Sequence, residues 1–131
     1  MSRLVSTLGG AQLYGKNLKV PFRELVQNGS DAVGARKILE DDDYVGNITI
    51  SITDIGDSKM IEIEDDGVGM SKNVLLGSFL NFGHSFWNTE KMYDEFPGLA
   101  AKGFSSTGKY GIGFYSVFMW SEEVTVITRR Y

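Results

Sequence analysis

The strongest constraint on the fold is a pair of alternating apolar stretches on either side of the turn Gly56-Asp57-Ser58. Isoleucines occupy every second position in the first stretch, residues 47–53, and Ile61 and Ile63 continue the pattern in the second, residues 60–65. Because successive side chains of a strand point to opposite faces, this pattern predicts two strands, each with one apolar face. The glycine turn between them predicts a β-hairpin.

Ahead of the hairpin, helical spacing predicts a long helix over residues 22–40. Pro21 suits its first turn, because the N–H that proline lacks would have no partner there. The apolar stripe of this helix consists of Phe22, Leu25, Val26, Ala32 and Val33.

Five further segments complete the expected layout. Leucine and alanine at helical spacing predict a short amphipathic helix over residues 2–14. Ser71 can cap another helix, and residues 110–120 are typical of an apolar one. Residues 82–107 lack any period, which is typical of a lid or binding loop, and we expect this segment to be mobile without ligand. Val124–Thr128 is expected to be a strand.

Composition narrows the class of protein. The chain has 131 residues, enough for one domain, and a net charge of −4, which argues against a nucleic-acid surface. It has no cysteine and one histidine, so thiolate and histidine-rich metal sites are excluded. No apolar run reaches the ~18 residues of a membrane span, and the first six residues lack the apolar core expected of a secretory signal. We therefore expect a cytoplasmic protein.

Three polar residues follow one edge of the long helix. Glu24, Asn28 and Asp31 stand at i, i+4 and i+7, within roughly 60° of one another and beside the apolar stripe. A helix packed by its apolar face would direct them towards a cleft at the margin of the core. Such a stripe alone is more typical of a charged helix flank.

Asp65 ends the second strand. It has the parity of Ile61 and Ile63, so its carboxylate is expected to face inward. Such an acid is often a turn former or a cap, but a buried carboxylate needs a donor, and the exocyclic amine of adenine is one. Gly67 and Gly69 would let the backbone approach a flat ring.

The third motif runs from Thr107 to Phe114. Glycines before and within a helix start leave N–H groups beside the positive end of the helix dipole, a site suited to phosphate. A P-loop is excluded because Tyr110 replaces the required serine or threonine, and a dinucleotide fingerprint lacks its later glycine at Ser116.

With these motifs the chain resembles the GHKL ATPase superfamily of gyrase, heat-shock chaperones, histidine kinases and MutL. It is most similar to the N-terminal ATP-binding domain of the ninety-kilodalton heat-shock chaperones and their bacterial relatives. Residues 23–28, 65–70 and 110–116 carry the resemblance. It implies a Bergerat-type ATP-binding fold, an α/β two-layer sandwich with a largely antiparallel sheet and helices on one face.

The resemblance also implies roles for individual residues. Glu24 would be the water-activating base and Asn28 the Mg²⁺ ligand, while Asp65 would accept from the adenine amine. Five residues would flank the nucleotide or line the base pocket: Asp31, Ala32, Gly67, Gly69 and Met70. The phosphate turn would consist of Gly108, Lys109, Tyr110, Gly111, Ile112, Gly113 and Phe114.

Two departures from the chaperone pattern concern the lid and the phosphate turn. Asn81-Phe82-Gly83-His84-Ser85 stands where the chaperones have a lysine-containing stretch, and Lys109 stands where they mostly have glutamine. The lysine that could touch the ligand from the lid is therefore absent.

The expected function is Mg²⁺-dependent ATP binding with hydrolysis that drives a lid and domain switch, as in chaperones. The alternatives are a nucleotide-binding module without turnover and a MutL- or gyrase-type ATPase domain. Expected partners are ATP or ADP, further domains of the same protein, a protein client and a second copy. We expect residues 1–131 to be an N-terminal, incomplete nucleotide domain with an open sheet edge, weak turnover and some dimerisation.

Overall fold

The computed structural model describes residues 1–9, 19–40, 43–79, 94–99, 102–105, 114–119 and 121–131. In chain order the elements are β1 (Ser2–Gly9), α1 (Lys19–Leu39), β2 (Ile48–Ile55), β3 (Ser58–Asp65), α2 (Lys72–Val74), a π-helical turn (Leu75–Phe79), a 3₁₀ helix (Phe114–Met119) and β4 (Val124–Thr128). Within these segments, no helix has the length and apolar character that crossing a membrane requires.

The four strands form one sheet in the order β2-β3-β1-β4, and each neighbouring pair is antiparallel. The predicted hairpin is confirmed as β2 and β3, and Gly56 in its turn has a φ of 58°. In the centre of the sheet, Ser2 of β1 lies opposite both Asp65 of β3 and Thr128 of β4. The antiparallel sheet with helices on one face confirms the predicted α/β two-layer fold.

The prediction of a helix over residues 2–14 is wrong for its described part, which is the strand β1. Leu4 and Leu8 are four residues apart, a spacing that fits the strand period as well as the helical one. Leu4 and Ser6 are buried, whereas Thr7 is exposed, as a strand requires. Pairing with β3 and β4 satisfies the backbone of β1 on both sides, so sheet formation prevails over local preference.

The helix α1 lies across one face of the sheet and contributes to two apolar clusters. The first consists of Leu4, Leu25, Ile61, Ile63, Phe114 and Val117, and the second of Ala35, Val68, Phe96 and Leu99. Since Leu25 and Ala35 belong to different clusters, the part of α1 between them is held over the end of β3.

The remaining predictions are met in part. Ser71 caps α2 as expected, because its Oγ accepts from the Val74 N–H at 3.3 Å, and β4 is confirmed. The apolar helix appears as the 3₁₀ helix, and residues 110–113 and 120 lie outside the described residues. Of the predicted lid only residues 94–99 and 102–105 are described, so its mobility stays a prediction.

Candidate nucleotide site

Asp65, at the end of β3, is the centre of the candidate site. Its side chain is buried on the helix-covered face, as its parity predicts. Oδ1 accepts the Gly67 N–H at 3.0 Å, which is the carboxylate's one hydrogen bond among the described residues. Burial raises the pKa of Asp65 from 3.8 to about 6, although the Gly67 N–H and the Met1 amine act in the opposite direction. An under-bonded, buried carboxylate of this kind is typical of a binding site.

The helix α1 approaches Asp65 through Gly29. A side-chain carbon at Gly29 would lie 3.6 Å from the Asp65 Cβ and 3.4 Å from the Ile48 Cδ1. These are ordinary van der Waals distances, so at Gly29 the helix lies within one side-chain carbon of the strand end. This contact brings the α1 turn that carries Asn28 and the buried Asp31 beside Asp65.

The loop after Asp65 packs directly on the backbone of α1. A Cβ at Gly67 would overlap the Ala32 carbonyl carbon and lie 2.6 Å from the Val33 nitrogen. The Val68 N–H donates to the Ala32 carbonyl at 3.1 Å. Glycine is therefore required at position 67 for this close approach. Ala32 lies against the loop, and its contact with a nucleotide stays a prediction.

Gly69 and Met70 continue the loop towards β4. Gly69 has a φ of 63°, and a Cβ there would overlap the Arg129 carbonyl oxygen. The Met70 N–H donates to the Thr128 Oγ1 at 3.0 Å, and that hydroxyl lies 2.8 Å from the Ser2 Oγ. The end of β4 therefore forms one wall of the site.

Sequence reasoning missed Thr128 and Ser2 at this wall. Thr128 has the parity of Val124 and Val126, which pack against the core, so it faces the helix layer at the end of β4, as Asp65 does in β3. The parity of Thr128 could have been recognised in the sequence. The sequence does not show that β3 and β4 both pair with β1, which brings their ends to the same site.

Glu24 lies on α1 one turn before Asn28. Its side chain is 19% exposed, and its Oε1 accepts from the Arg23 Nη2 at 2.9 Å. Because the Arg23 side chain is 70% exposed, the ion pair is solvent-screened and opens at little energetic cost. Glu24 can therefore be released towards a ligand.

The predicted phosphate turn falls almost entirely outside the described residues. Gly108, Lys109, Tyr110, Gly111, Ile112 and Gly113 are not described. Phe114 is described and lies in the first apolar cluster, with its ring 6.1 Å from that of Tyr115. Its contact with nucleotide stays a prediction.

The close contact at Gly67 makes a prediction about stability. Gly67→Ala is expected to destabilise the protein by about 1–3 kcal/mol, because the new methyl group must displace the backbone of α1. Gly34→Ala, within α1 itself, is the control: its Cβ would lie 3.9 Å from a Phe104 ring carbon, so helix propensity should stabilise the protein by about 1 kcal/mol. Urea unfolding of both variants measures the difference, and equal stability of the two would contradict it.

Comparison with known proteins places this sequence in a family. The sequence profile described as histidine kinase-, DNA gyrase B- and HSP90-like ATPase matches residues 17–131. Chaperone protein HtpG of Anaplasma phagocytophilum is 34% identical over 119 residues, covering 87% of this chain and 18% of the relative. Chaperone protein HtpG of Idiomarina loihiensis is 34% identical over 118 residues, covering 86% and 18%. The chain thus spans less than a fifth of the length of these relatives. No solved structure matches it.

Proposed function

The chain belongs to the histidine kinase-, DNA gyrase B- and HSP90-like ATPases, and we propose that it binds ATP between α1 and residues 65–70. The buried Asp65 carboxylate, held against α1 at Gly29 and Gly67, is the observation that carries this proposal. Its second oxygen can accept from the 6-amino group of adenine. Guanine presents a carbonyl oxygen at that position, so a carboxylate there favours ATP over GTP.

The polar edge of α1 supplies residues suited to the phosphate end. Asn28 offers an amide oxygen, a ligand type that Mg²⁺ accepts. Among the described residues no three acidic, histidine or cysteine side chains form a metal site, so nucleotide oxygens and water would complete the coordination. Bound Mg²⁺ would neutralise phosphate charge. Asp31 and Ala32, beside the loop, would flank the nucleotide.

Hydrolysis is the next part of the proposal, with Glu24 as the base. A carboxylate on the same edge of α1 as Asn28 can accept a proton from the attacking water. The N–H groups of residues 108–114 would hold the phosphates. With these groups in place, the protein would bind ATP, hydrolyse it and then bind a new ATP molecule.

The wider function is proposed from the relatives, which are named as chaperones. ATP would order residues 82–107 as a lid, and further domains would read the change. A second copy, a protein client and a cytoplasmic location belong to the same proposal.

One observation favours a second candidate, a nucleotide-binding module without turnover. The Glu24 carboxylate accepts from Arg23, and this candidate requires the pair to stay closed when ATP is bound, so that Glu24 does not reach the attacking water. The two candidates differ in chemistry and share the nucleotide site.

A single-turnover experiment separates the candidates. Excess protein is mixed with trace labelled ATP, with Mg²⁺ or with a chelator, and product formation is followed. The ATPase proposal expects Mg²⁺-dependent conversion to ADP. Tight binding without any product, at protein concentrations above the dissociation constant, would favour the binding module.

A further inference from the structure

Arg36, on the C-terminal half of α1, lies between two aromatic rings. Its guanidinium carbon is 4.7 Å from the centroid of the Tyr44 ring and 4.8 Å from that of the Tyr131 ring. Its Nη1 donates to the Asp66 carbonyl at 2.5 Å, and its Nε donates to the Glu40 Oε1 at 2.8 Å. A planar guanidinium can stack and donate in its own plane at once, which a lysine ammonium cannot do.

Arg36 and Tyr44 both donate to Asp66, in the loop of residues 65–70. Its Oδ1 accepts from the Tyr44 hydroxyl at 2.6 Å and from the Asn47 N–H at 2.8 Å, and its Oδ2 accepts from the Asn47 Nδ2 at 2.9 Å. Burial acts to raise the pKa of Asp66, but these donors lower it below its usual value. Asp66 is thus fully bonded, whereas its neighbour Asp65 keeps an oxygen for a ligand.

Tyr131, the other aromatic partner of Arg36, binds the same loop at Val68. The Tyr131 N–H donates to the Val68 carbonyl at 2.8 Å, while the Tyr131 ring covers Arg36. Arg36 is therefore connected to the loop at Asp66 directly and at Val68 through Tyr131. Gly67, whose N–H orients the Asp65 carboxylate, lies between these two attachment points.

We propose that Arg36 is a positioning residue that sets the adenine selectivity of the site by fixing the loop that orients Asp65. This inference rests on the proposed ATP site. Arg36 acts through Asp66 and Tyr131 and need not touch the nucleotide. Its loss should therefore weaken the contacts to the base and leave the contribution of the phosphates in place.

The test compares the affinities for ATP and GTP, measured by calorimetry in the presence of Mg²⁺. Arg36→Met is expected to weaken ATP binding about tenfold, the size expected for losing a charged hydrogen bond, with little change for GTP. The matched control is Lys37→Met, which removes one positive charge from the adjacent, exposed position of α1 and should leave both affinities as in the wild type.

Tyr44→Phe is the second variant, and it removes only the hydroxyl that donates to Asp66 while keeping a ring over Arg36. It should lower the ATP-to-GTP affinity ratio in the same direction, and it decides the matter if Arg36→Met does not fold. A folded Arg36→Met or Tyr44→Phe protein with lower thermal stability and a wild-type ratio would overturn the inference, because a purely structural role predicts that result.

The failure of the proposed function would look different. If the wild type does not bind ATP, or if Asp65→Asn binds it as the wild type does, the ATP site itself is wrong and the positioning role falls with it. If the wild type binds ATP and Asp65→Asn does not, a wild-type ratio in the Arg36 and Tyr44 variants contradicts the positioning role alone.

Discussion

Replacing Glu24 with glutamine is expected to lower ATP turnover about 10²–10⁴-fold and to leave ATP affinity nearly unchanged. The amide keeps the size of the side chain but cannot accept a proton from water at neutral pH. Stability should change little, since the lost partner, Arg23, is 70% exposed and a pair of this kind contributes at most about 1 kcal/mol.

Single-turnover rates and calorimetric affinities measured on the same protein separate the role of Glu24 in chemistry from a role in binding. Glu122→Gln, at an exposed carboxylate, is the matched control and should keep the wild-type rate. Asn28→Ala should instead weaken Mg²⁺-dependent ATP binding. Loss of ATP affinity in a folded Glu24→Gln protein, or a wild-type rate, would show that Glu24 is not the base.

Asp65→Asn is expected to abolish the preference for ATP over GTP and, at neutral pH, to stabilise the protein. An asparagine oxygen can still accept from the Gly67 N–H, so the loop keeps its hydrogen bond. What the variant loses is the charged acceptor for the adenine amine, and what it gains is the removal of a buried charge. The affinity for ATP should therefore fall while the free energy of unfolding rises.

The pH dependence follows from the raised pKa of Asp65. The folded protein holds this proton more tightly than the unfolded chain does, so ionisation destabilises the fold as pH rises from about 4 to about 6. The rise from 3.8 to about 6 corresponds to a loss of up to about 3 kcal/mol in the free energy of unfolding. Above about pH 6 the full loss of stability is present, and below about pH 4 it is absent.

Urea unfolding between pH 4 and pH 7.5 measures this effect, with the neighbouring Asp66→Asn as control. The pKa of Asp66 is lowered, so its charge stabilises the fold, and Asp66→Asn should destabilise the protein at neutral pH. Asp65→Asn should remove the decline in stability that the wild type shows from about pH 4 to about pH 6. A variant with the wild-type pH dependence, or with wild-type ATP selectivity, would contradict the assigned role.

Local patterns were sufficient to predict the hairpin, α1 and the inward direction of Asp65, because each follows from side-chain parity or helical spacing within a few residues. The same reasoning failed at β1. There two leucines four residues apart fit either period, and the strand is determined by partners at residues 58–65 and 124–128.

The parts of the site that depend on distant pairing could not be read from the sequence. Thr128 meets Ser2 only because β4 pairs with β1, 126 positions away in the chain. Arg36, Tyr44 and Tyr131 belong to three separate segments of the chain. No local sequence motif predicts that a guanidinium will lie between two aromatic rings. The motif around Asp65, including Gly67, was predictable, whereas the distant residues that hold this loop in place were not.

A crystal structure of the protein with Mg²⁺ and a non-hydrolysable ATP analogue tests the proposed site most directly. The expected result places the adenine 6-amino group about 3 Å from an Asp65 carboxylate oxygen, with the base against Gly69 and Met70 and the phosphates on the Asn28 side of α1. A nucleotide bound elsewhere on the protein, or an adenine amine that does not contact Asp65, would contradict it.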